Sequence, residues 1–207
     1  MPESVAERRP LTHLLYLHGF RSSPRSTKAQ RLAAWMAAER PDVHWWCPQL
    51  PPSPREALAM LQAGTAAWPA QGSAVVGSSL GGFYATVLAE SPGRSAWRVG
   101  LINPAVDPAR DLAAHIGEQT AWHDPAERFF FDPAFVGELR AMAPGPLSDR
   151  ARYLPVIATG DEVLDWREMA TRYAGEPLLV VPGSDHALSD FDHHLPRLLR
   201  HLSLTPA

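Results

Sequence analysis

The sequence predicts an α/β protein whose mostly parallel sheet of about six strands carries helices on both faces. Two observations lead to this prediction. Short apolar runs alternate with segments of helical periodicity along most of the chain, which is typical of parallel sheets covered on both sides. The first run, residues 11–18, is almost continuously apolar, as expected of a strand that is buried on both faces.

The predicted strands occupy six short runs, at residues 11–18, 43–48, 73–78, 98–103, 155–159 and 177–181. Helical periodicity falls between them, at residues 28–39, 55–67, 83–90, 165–173 and 191–202. Gly19 ends the first strand, Pro41 lies just beyond the first helix, and a proline-rich loop precedes the second helix. Such residues mark element boundaries because they disfavour continuation of helices and strands.

Length and composition indicate a single domain over residues 1–207. Hydrophobic residues make up 45% of the chain and charged residues 20%, which are ordinary values for a globular protein. The formal net charge of −3 gives no electrostatic reason to expect a nucleic acid or an anionic membrane as a partner. The longest apolar runs are far too short to span a bilayer.

The expected compartment is the cytoplasm. Residues 1–10 contain no apolar core and therefore do not resemble a signal peptide. The single cysteine, Cys47, excludes an intrachain disulfide and fits a reducing environment.

The pattern Gly-x-Ser-x-Gly at Gly77, Ser79 and Gly81 is the central motif of the chain. An apolar strand leads into it, and a segment that we expect to form an amphipathic helix follows. In this context the motif is typical of a nucleophile elbow, in which a strained turn projects the serine hydroxyl from the end of the sheet. The glycines are expected where a β-carbon would collide with a neighbouring strand or helix.

Further candidate residues follow other predicted strands. Phe20 comes after the first strand, Asp161 after the fifth and His186 after the sixth. Because ligands bind at the carboxyl ends of parallel strands, these residues are expected to meet Ser79 there. A serine, an acid and a histidine in this chain order are typical of the α/β-hydrolases.

The residue types fit acyl-transfer chemistry. A serine hydroxyl is a weak nucleophile at neutral pH and needs a base, here His186, to accept its proton. Asp161 would hold the imidazole and stabilise the imidazolium. The backbone N–H groups of Leu80 and Phe20 are expected to form the oxyanion hole. His18 is expected to order the loop after the first strand, which contains Phe20.

Alternatives remain for two of these residues. Glu162 and Asp165 compete with Asp161 as the acid, but Asp161 comes first after its strand, and Asp165 is placed to cap the next helix. His186 could instead bind a metal, since other histidines and acids lie close to it in sequence. Acids in the first turn of the final helix explain that cluster better, so we expect no metal and no organic cofactor.

Residues 106–153 interrupt the alternation of strands and helices. They contain no convincing strand, and their periodicity predicts helices at residues 109–117 and 133–142. An insertion at the end of the sheet that carries the motif serine is placed to act as a helical lid. A helical pair that only completes the core is the alternative, and the aromatic run Phe129, Phe130 and Phe131 suits either.

Several segments together carry a resemblance to a known family: LYLHGF at residues 15–20, GSSLGGFYA at 77–85, LINPA at 101–105, TGDEVLD at 159–165 and DHA at 185–187. They resemble the YqiA-type esterases, a group of small α/β-hydrolases. The resemblance implies a cytoplasmic carboxylic-ester hydrolase, with acyl thioesters as a further substrate class. It also implies Ser79 as the nucleophile, Asp161 as the acid and His186 as the base.

The sequence therefore predicts hydrolysis of a small-molecule acyl ester through an acyl-Ser79 intermediate. Phe129, Phe130 and Phe131 are the expected substrate-binding residues. Two alternatives are retained: an acyl-thioester hydrolase or acyltransferase with the same triad, and a non-catalytic binding module of the same fold. The oligomeric state is not predicted.

Overall fold

The computed structural model describes residues 10–205 except residues 125 and 176. Within this range it contains the strands β1 (His13–Leu17), β2 (His44–Trp46), β3 (Ser73–Ser78), β4 (Arg98–Ile102), β5 (Gly117–Thr120), β6 (Arg128–Phe131), β7 (Tyr153–Ala158) and β8 (Leu179–Val181). The α-helices are α1 (Thr27–Glu39), α2 (Pro54–Gly64), α3 (Leu80–Ala89), α4 (Pro108–Asp111), α5 (Pro133–Ala141), α6 (Trp166–Arg172) and α7 (Phe191–His201). Residues 1–9, which we interpreted as unlike a signal peptide, lie outside the described range.

Six of these strands form one parallel sheet in the order β2-β1-β3-β4-β7-β8. Strand β3 lies inside the sheet, with Gly77 opposite Leu17 of β1 and Ser78 opposite Ile102 of β4. All six predicted strands are confirmed, each within two residues of its predicted ends. The loops that leave β1, β3 and β4 therefore emerge side by side at one edge.

Helices cover both faces of the sheet, as predicted. Alternate strand residues point to opposite faces: Leu15 and Val75 pack with α2, α3 and α5, whereas Tyr16 and Val76 pack with α1 and α7. These strand residues are fully buried. Among the described helices, none is both long and apolar enough to cross a bilayer.

Helix α3 begins directly after Ser79 and is buried along its whole length. The helix that we predicted at residues 83–90 is confirmed, but the expectation that it is amphipathic is wrong. The helix lies on β1, β3 and β4, and α2 packs against it, so no side remains for a polar face. Its small and apolar residues fit this complete burial.

The structure differs from the prediction in the insertion, residues 106–153. We expected no strand there, but β5 and β6 form an antiparallel hairpin in which Gly117 lies opposite Phe131. The predicted helix at 109–117 is reduced to the short α4 and a 3-10 turn at Ala113–His115. Helix α5 agrees with its prediction. The insertion is therefore mixed, and not the purely helical segment that we expected.

The side chains of β6 are alternately buried and exposed, which explains why this segment forms a strand. Phe131 is 1% exposed and Phe130 is 60% exposed, because neighbouring residues of a strand point to opposite sides. Phe131 and Leu139 belong to the same core as helix α3. At its base, the insertion thus completes the core of the domain.

The motif glycines permit a close approach between the helix and the sheet. A β-carbon on Gly81 would lie 2.1 Å from the carbonyl oxygen of Leu17, and one on Gly77 would lie 2.2 Å from the carbonyl oxygen of Gly81. Neither distance is compatible with a side chain. The predicted role of these glycines is confirmed.

Gly81→Ala should destabilise the fold, because the added methyl group would meet the backbone of β1 and not a movable side chain. We expect the free energy of unfolding in urea to fall by roughly 1–3 kcal/mol. Gly137→Ala in α5 is the matched control, since nothing beyond the adjacent backbone of its own helix lies within 4 Å of the added methyl. It should raise the same quantity by about 0.5–1 kcal/mol. Equal effects of the two substitutions would contradict the packing argument.

Candidate active site

Three side chains from separate loops at the carboxyl end of the sheet form one chain of hydrogen bonds. His186 Nε2 lies 3.1 Å from Ser79 Oγ, and His186 Nδ1 lies 2.8 Å from Asp161 Oδ2. Ser79 follows β3, Asp161 follows β7 and His186 follows β8. The Asp161 side chain has no exposed surface, whereas that of His186 is 20% exposed. The carboxylate is thus shielded from water, and the imidazole has access to the adjoining cavity.

Two backbone N–H groups hold the Asp161 carboxylate in place. Those of Val163 and Leu164 each donate a hydrogen bond of 2.8 Å to Oδ1. Because Oδ1 is fully engaged, Oδ2 is left to accept from the imidazole of His186.

The other acidic candidates have different partners. Glu162 Oε2 accepts a hydrogen bond of 3.0 Å from the backbone N–H of His186. Asp165 caps helix α6 by accepting from the N–H of Arg167, as predicted. Of the three acids, Asp161 is the one in contact with the imidazole ring.

Ser79 has a backbone conformation that few residues adopt, with φ 55° and ψ −123°. Such conformations cost on the order of 1–3 kcal/mol and persist only where neighbouring structure enforces them. Here the N–H of Ser79 donates to the carbonyl of Ile102, and its carbonyl accepts from Gly82 and Ala105. These bonds hold the turn from both sides and keep the hydroxyl at the end of the sheet.

Within the described residues, the backbone N–H groups of Leu80 and Phe20 donate no hydrogen bond. Leu80 is the first residue of α3, so its N–H has no partner in the helix. Phe20 lies in the turn after β1, and both residues line the cavity that contains Ser79. A β-carbon on Gly19 would lie 3.1 Å from Ser79 Cβ, which shows how closely this turn approaches the serine.

His18 orders the loop that contains Phe20, as predicted. It is buried, with Nδ1 3.0 Å from the carbonyl oxygen of Gly19 and Nε2 3.1 Å from the N–H of Leu50. Because Nε2 accepts from Leu50, the ring proton must be on Nδ1. Burial lowers the pKa of His18, which favours this neutral form.

The Ser79 hydroxyl faces a cavity of about 620 Å³, whose walls include Phe20 and Leu112. A smaller cavity of about 160 Å³ also has Phe20 in its wall, together with Phe129 and Phe131. The rings of Phe129 and Phe131 both meet the Phe20 ring edge-on. Phe20 therefore separates two spaces, one at the serine and one behind the loop that follows β1.

The three aromatic residues expected to bind substrate do not lie together. Phe129 and Phe131 line the smaller cavity. Phe130 is largely exposed and lines neither cavity, because strand β6 points it to the opposite side. We therefore leave Phe130 out of the candidate site.

Arg21 connects the loop after β1 to the hairpin of the insertion, a link that we did not predict. Arg21 Nε donates to the carbonyl of Thr120 at 2.6 Å, and the N–H of Trp122 donates to the carbonyl of Arg21 at 2.8 Å. The guanidinium also lies 4.1 Å from the centre of the Trp122 ring. Trp122, 71% exposed, stands at the mouth of the larger cavity.

Asn103 is a second residue of the site that sequence reasoning missed. It is fully buried after β4, with φ 41°. Its Nδ2 donates to the carbonyls of Asp185 and His186, and its Oδ1 accepts from the N–H of Ala158 in β7. One side chain thus ties the backbone of the His186 loop to the central strands.

Histidines and acids near the start of α7 do not converge on a cation site. Of these, His194 is hydrogen-bonded to Asp190, which also accepts from Ser184. Within residues 10–205, apart from the two that are not described, no three His, Cys, Asp or Glu side chains are grouped to bind a metal.

The parallel sheet, the strained serine turn and the serine–imidazole–carboxylate chain at its carboxyl end define an α/β-hydrolase fold. The chain belongs to the uncharacterised protein family UPF0227, the YqiA family, whose model matches residues 13–203. This match confirms the resemblance inferred from the sequence.

Solved structures with the same fold cover nearly the whole chain. One belongs to the metagenome-derived lipolytic enzymes LipS and LipT, with 19% identity, a TM-score of 0.65 and coverage of 95% of each chain. Mouse alpha/beta hydrolase domain-containing protein 10 has 16% identity and a TM-score of 0.63, covering 92% of this chain and 90% of its own. Est1E from Butyrivibrio proteoclasticus, with ferulic acid bound, has 16% identity and a TM-score of 0.60, covering 99% of this chain and 90% of its own. At these identities the similarity establishes the fold alone.

Asn103→Gly should loosen the His186 loop, because glycine adopts the positive φ without strain but provides no amide. We expect amides of residues 183–190 to exchange with deuterium roughly ten-fold faster, as two hydrogen bonds of about 0.5–1.5 kcal/mol each are lost. Amides of strand β1 report global unfolding and serve as the internal control. Unchanged exchange in the loop, or an equal acceleration in β1, would contradict this role.

Proposed function

We propose that the chain is a serine carboxylesterase that hydrolyses small-molecule acyl esters through an acyl-Ser79 intermediate. The observation that carries the proposal is the continuous hydrogen-bond chain from Ser79 through His186 to Asp161. The 3.1 Å spacing of Ser79 and His186 argues against a non-catalytic binding module, for which we would expect these side chains to lie apart.

In the acylation step, Ser79 Oγ attacks the carbonyl carbon of the ester while His186 Nε2 accepts the hydroxyl proton. The carbonyl oxygen becomes an oxyanion, which accepts hydrogen bonds from the N–H groups of Leu80 and Phe20. Asp161 stabilises the imidazolium. The bond from the carbonyl carbon to the leaving oxygen then breaks, and Nε2 returns the proton to that oxygen, so that an alcohol departs.

In the deacylation step, a water molecule replaces the alcohol. His186 Nε2 accepts a proton from the water, whose oxygen attacks the carbonyl carbon of the acyl-enzyme. The same two N–H groups stabilise the second oxyanion. When the bond to Ser79 Oγ breaks, the proton passes to Oγ and the carboxylic acid is released.

We infer that the acyl chain extends toward the smaller cavity. The N–H of Phe20 must face the ester oxygen, and the Phe20 ring forms a wall shared by the two cavities. Phe129 and Phe131 provide an apolar lining behind it. In this arrangement the insertion acts as the cover of the acyl site.

We also infer a cytoplasmic location. Cys47 is a free and half-buried thiol, and free thiols are typical of reducing compartments.

Ser79→Ala should abolish labelling by a fluorophosphonate probe and lower kcat for a short-chain ester by roughly 10³-fold or more. The reason is that both the probe and the ester need the activated hydroxyl. Peptide mapping of the labelled wild type locates the site. Ser91→Ala, at the opposite end of α3, is the control and should label normally. Stoichiometric labelling of folded Ser79→Ala would refute the proposed nucleophile.

Phe129→Ala should shift the preference toward longer acyl chains, because truncation enlarges the smaller cavity. We expect the ratio of kcat/KM for octanoyl over butyryl esters to rise about five-fold, with little change for an acetyl ester. Phe130→Ala is the matched control: it removes the same ring one residue away, on the solvent side. Equal octanoyl-to-butyryl ratios in the two variants would show that the insertion does not form part of the acyl site.

A further inference from the structure

A groove lies beside the Ser79 cavity, along the start of helix α1. Its volume is about 500 Å³, and Lys28, Trp122 and Ala187 line both the groove and the cavity. The two spaces therefore adjoin at these three residues. The end of a bound molecule that points from Ser79 toward these residues would face the groove.

The groove carries an excess of positive charge. Arg25, Lys28 and Arg31 line it, and the one carboxylate among its described lining residues, Asp192, is held by Arg31 through two hydrogen bonds. Within the described part of the chain, Arg25 and Lys28 form no ion pair. Because the whole chain has a net charge of −3, this local excess runs against the overall sign. Clefts lined by one sign of charge attract ligands of the opposite sign.

An anion would relieve an unfavourable arrangement at Lys28. Its ammonium donates to the carbonyl of Ala187 at 2.5 Å, and burial lowers the pKa of Lys28 although Asp185 and Asp161 oppose this effect. The first turn of α1 contains no acidic residue, and cations near the positive end of a helix are disfavoured by its dipole. A bound anion would offset both effects.

The chemistry of the reaction decides which part of the substrate enters the groove. His186 has to deliver a proton to the leaving oxygen, so the leaving group must lie on the His186 side of the cavity. Ala187, the next residue, accepts the hydrogen bond from Lys28. The groove thus begins where the leaving group is protonated, whereas Phe129 and Phe131 lie behind the oxyanion loop.

We propose that the leaving group of the substrate carries a carboxylate or phosphate group, which Lys28 and Arg25 bind in this groove. The inference rests on the proposed ester hydrolysis and specifies its substrate class. Lys28 forms the inner contact, at the boundary with the catalytic cavity, and Arg25 forms the outer one.

The test compares three butyrate esters that differ only in their leaving groups: phenyl butyrate, 4-(carboxymethyl)phenyl butyrate and 4-(phosphonomethyl)phenyl butyrate. At low salt, kcat/KM for at least one anionic ester should exceed that for the neutral ester by about ten-fold. The anionic ester with the larger preference over the neutral ester identifies which anion the groove binds. NaCl at about 0.5 M should reduce the preference, because it screens charges in an open groove. No preference for either anionic ester would overturn the proposal.

Two substitutions localise the effect. Arg25→Gln should lower the ratio of anionic to neutral kcat/KM by about three-fold, through KM for the anionic ester. Lys28→Gln should lower the ratio by about ten-fold. Both esters are measured with the same variant, so the ratio cancels any effect of losing the contact between Lys28 and Ala187. Arg197→Gln is the control, since Arg197 is exposed on α7 and lines neither space. An unchanged ratio in both groove variants, or an equal fall in Arg197→Gln, would overturn the assignment.

The neutral ester separates this inference from the proposed function. Hydrolysis of phenyl butyrate that depends on Ser79, without any anionic preference, would overturn the groove assignment alone. Absence of Ser79-dependent hydrolysis of all three esters would overturn the proposed function.

Discussion

The close approach of helix α3 to the sheet is the constraint on which the site depends. Without β-carbons at Gly77 and Gly81, the helix can start against the backbone of β1, and the chain has to turn sharply at Ser79. The strain of that turn, on the order of 1–3 kcal/mol, is small beside the burial of ten residues of α3, since each large apolar side chain contributes about 1.5–3 kcal/mol. The same start leaves the N–H of Leu80 without a partner in the helix, so one packing constraint sets both the position of the hydroxyl and this N–H group.

The loop that carries His186 is held by side chains because it has no regular secondary structure. The amide of Asn103 fixes its backbone from the centre of the sheet. The carboxylate of Asp185 accepts from the N–H and the hydroxyl of Ser189, and Asp190 links the loop to the last helix through His194. Of these groups, Asn103 is fully buried, and its amide would be costly to leave unpaired. The position of the imidazole therefore depends on a set of contacts that cooperate.

Much of the fold and the geometry of the site could be predicted from the sequence, because the signals are local. Apolar runs fixed the strands, and the glycine–serine motif with an acid and a histidine after later strands identified side chains that lie in hydrogen-bond contact. The hairpin was missed because β5 (GEQT) is polar and short and has no strand periodicity. Asn103 and Arg21 were missed because their partners lie 82 and 99 residues away, and a single sequence contains no information on such pairs.

The hydrogen bonds between Arg21 and the hairpin have a consequence for variation within the family. On the hairpin side, both are made by backbone groups, the carbonyl of Thr120 and the N–H of Trp122. Substitution of these side chains leaves the bonds possible. Insertion or deletion of a residue in β5 would shift both groups out of register with the loop that holds Phe20. The hairpin can therefore diverge in sequence much more freely than in length, and exchange of this segment between relatives would require the loop after β1 to be exchanged with it.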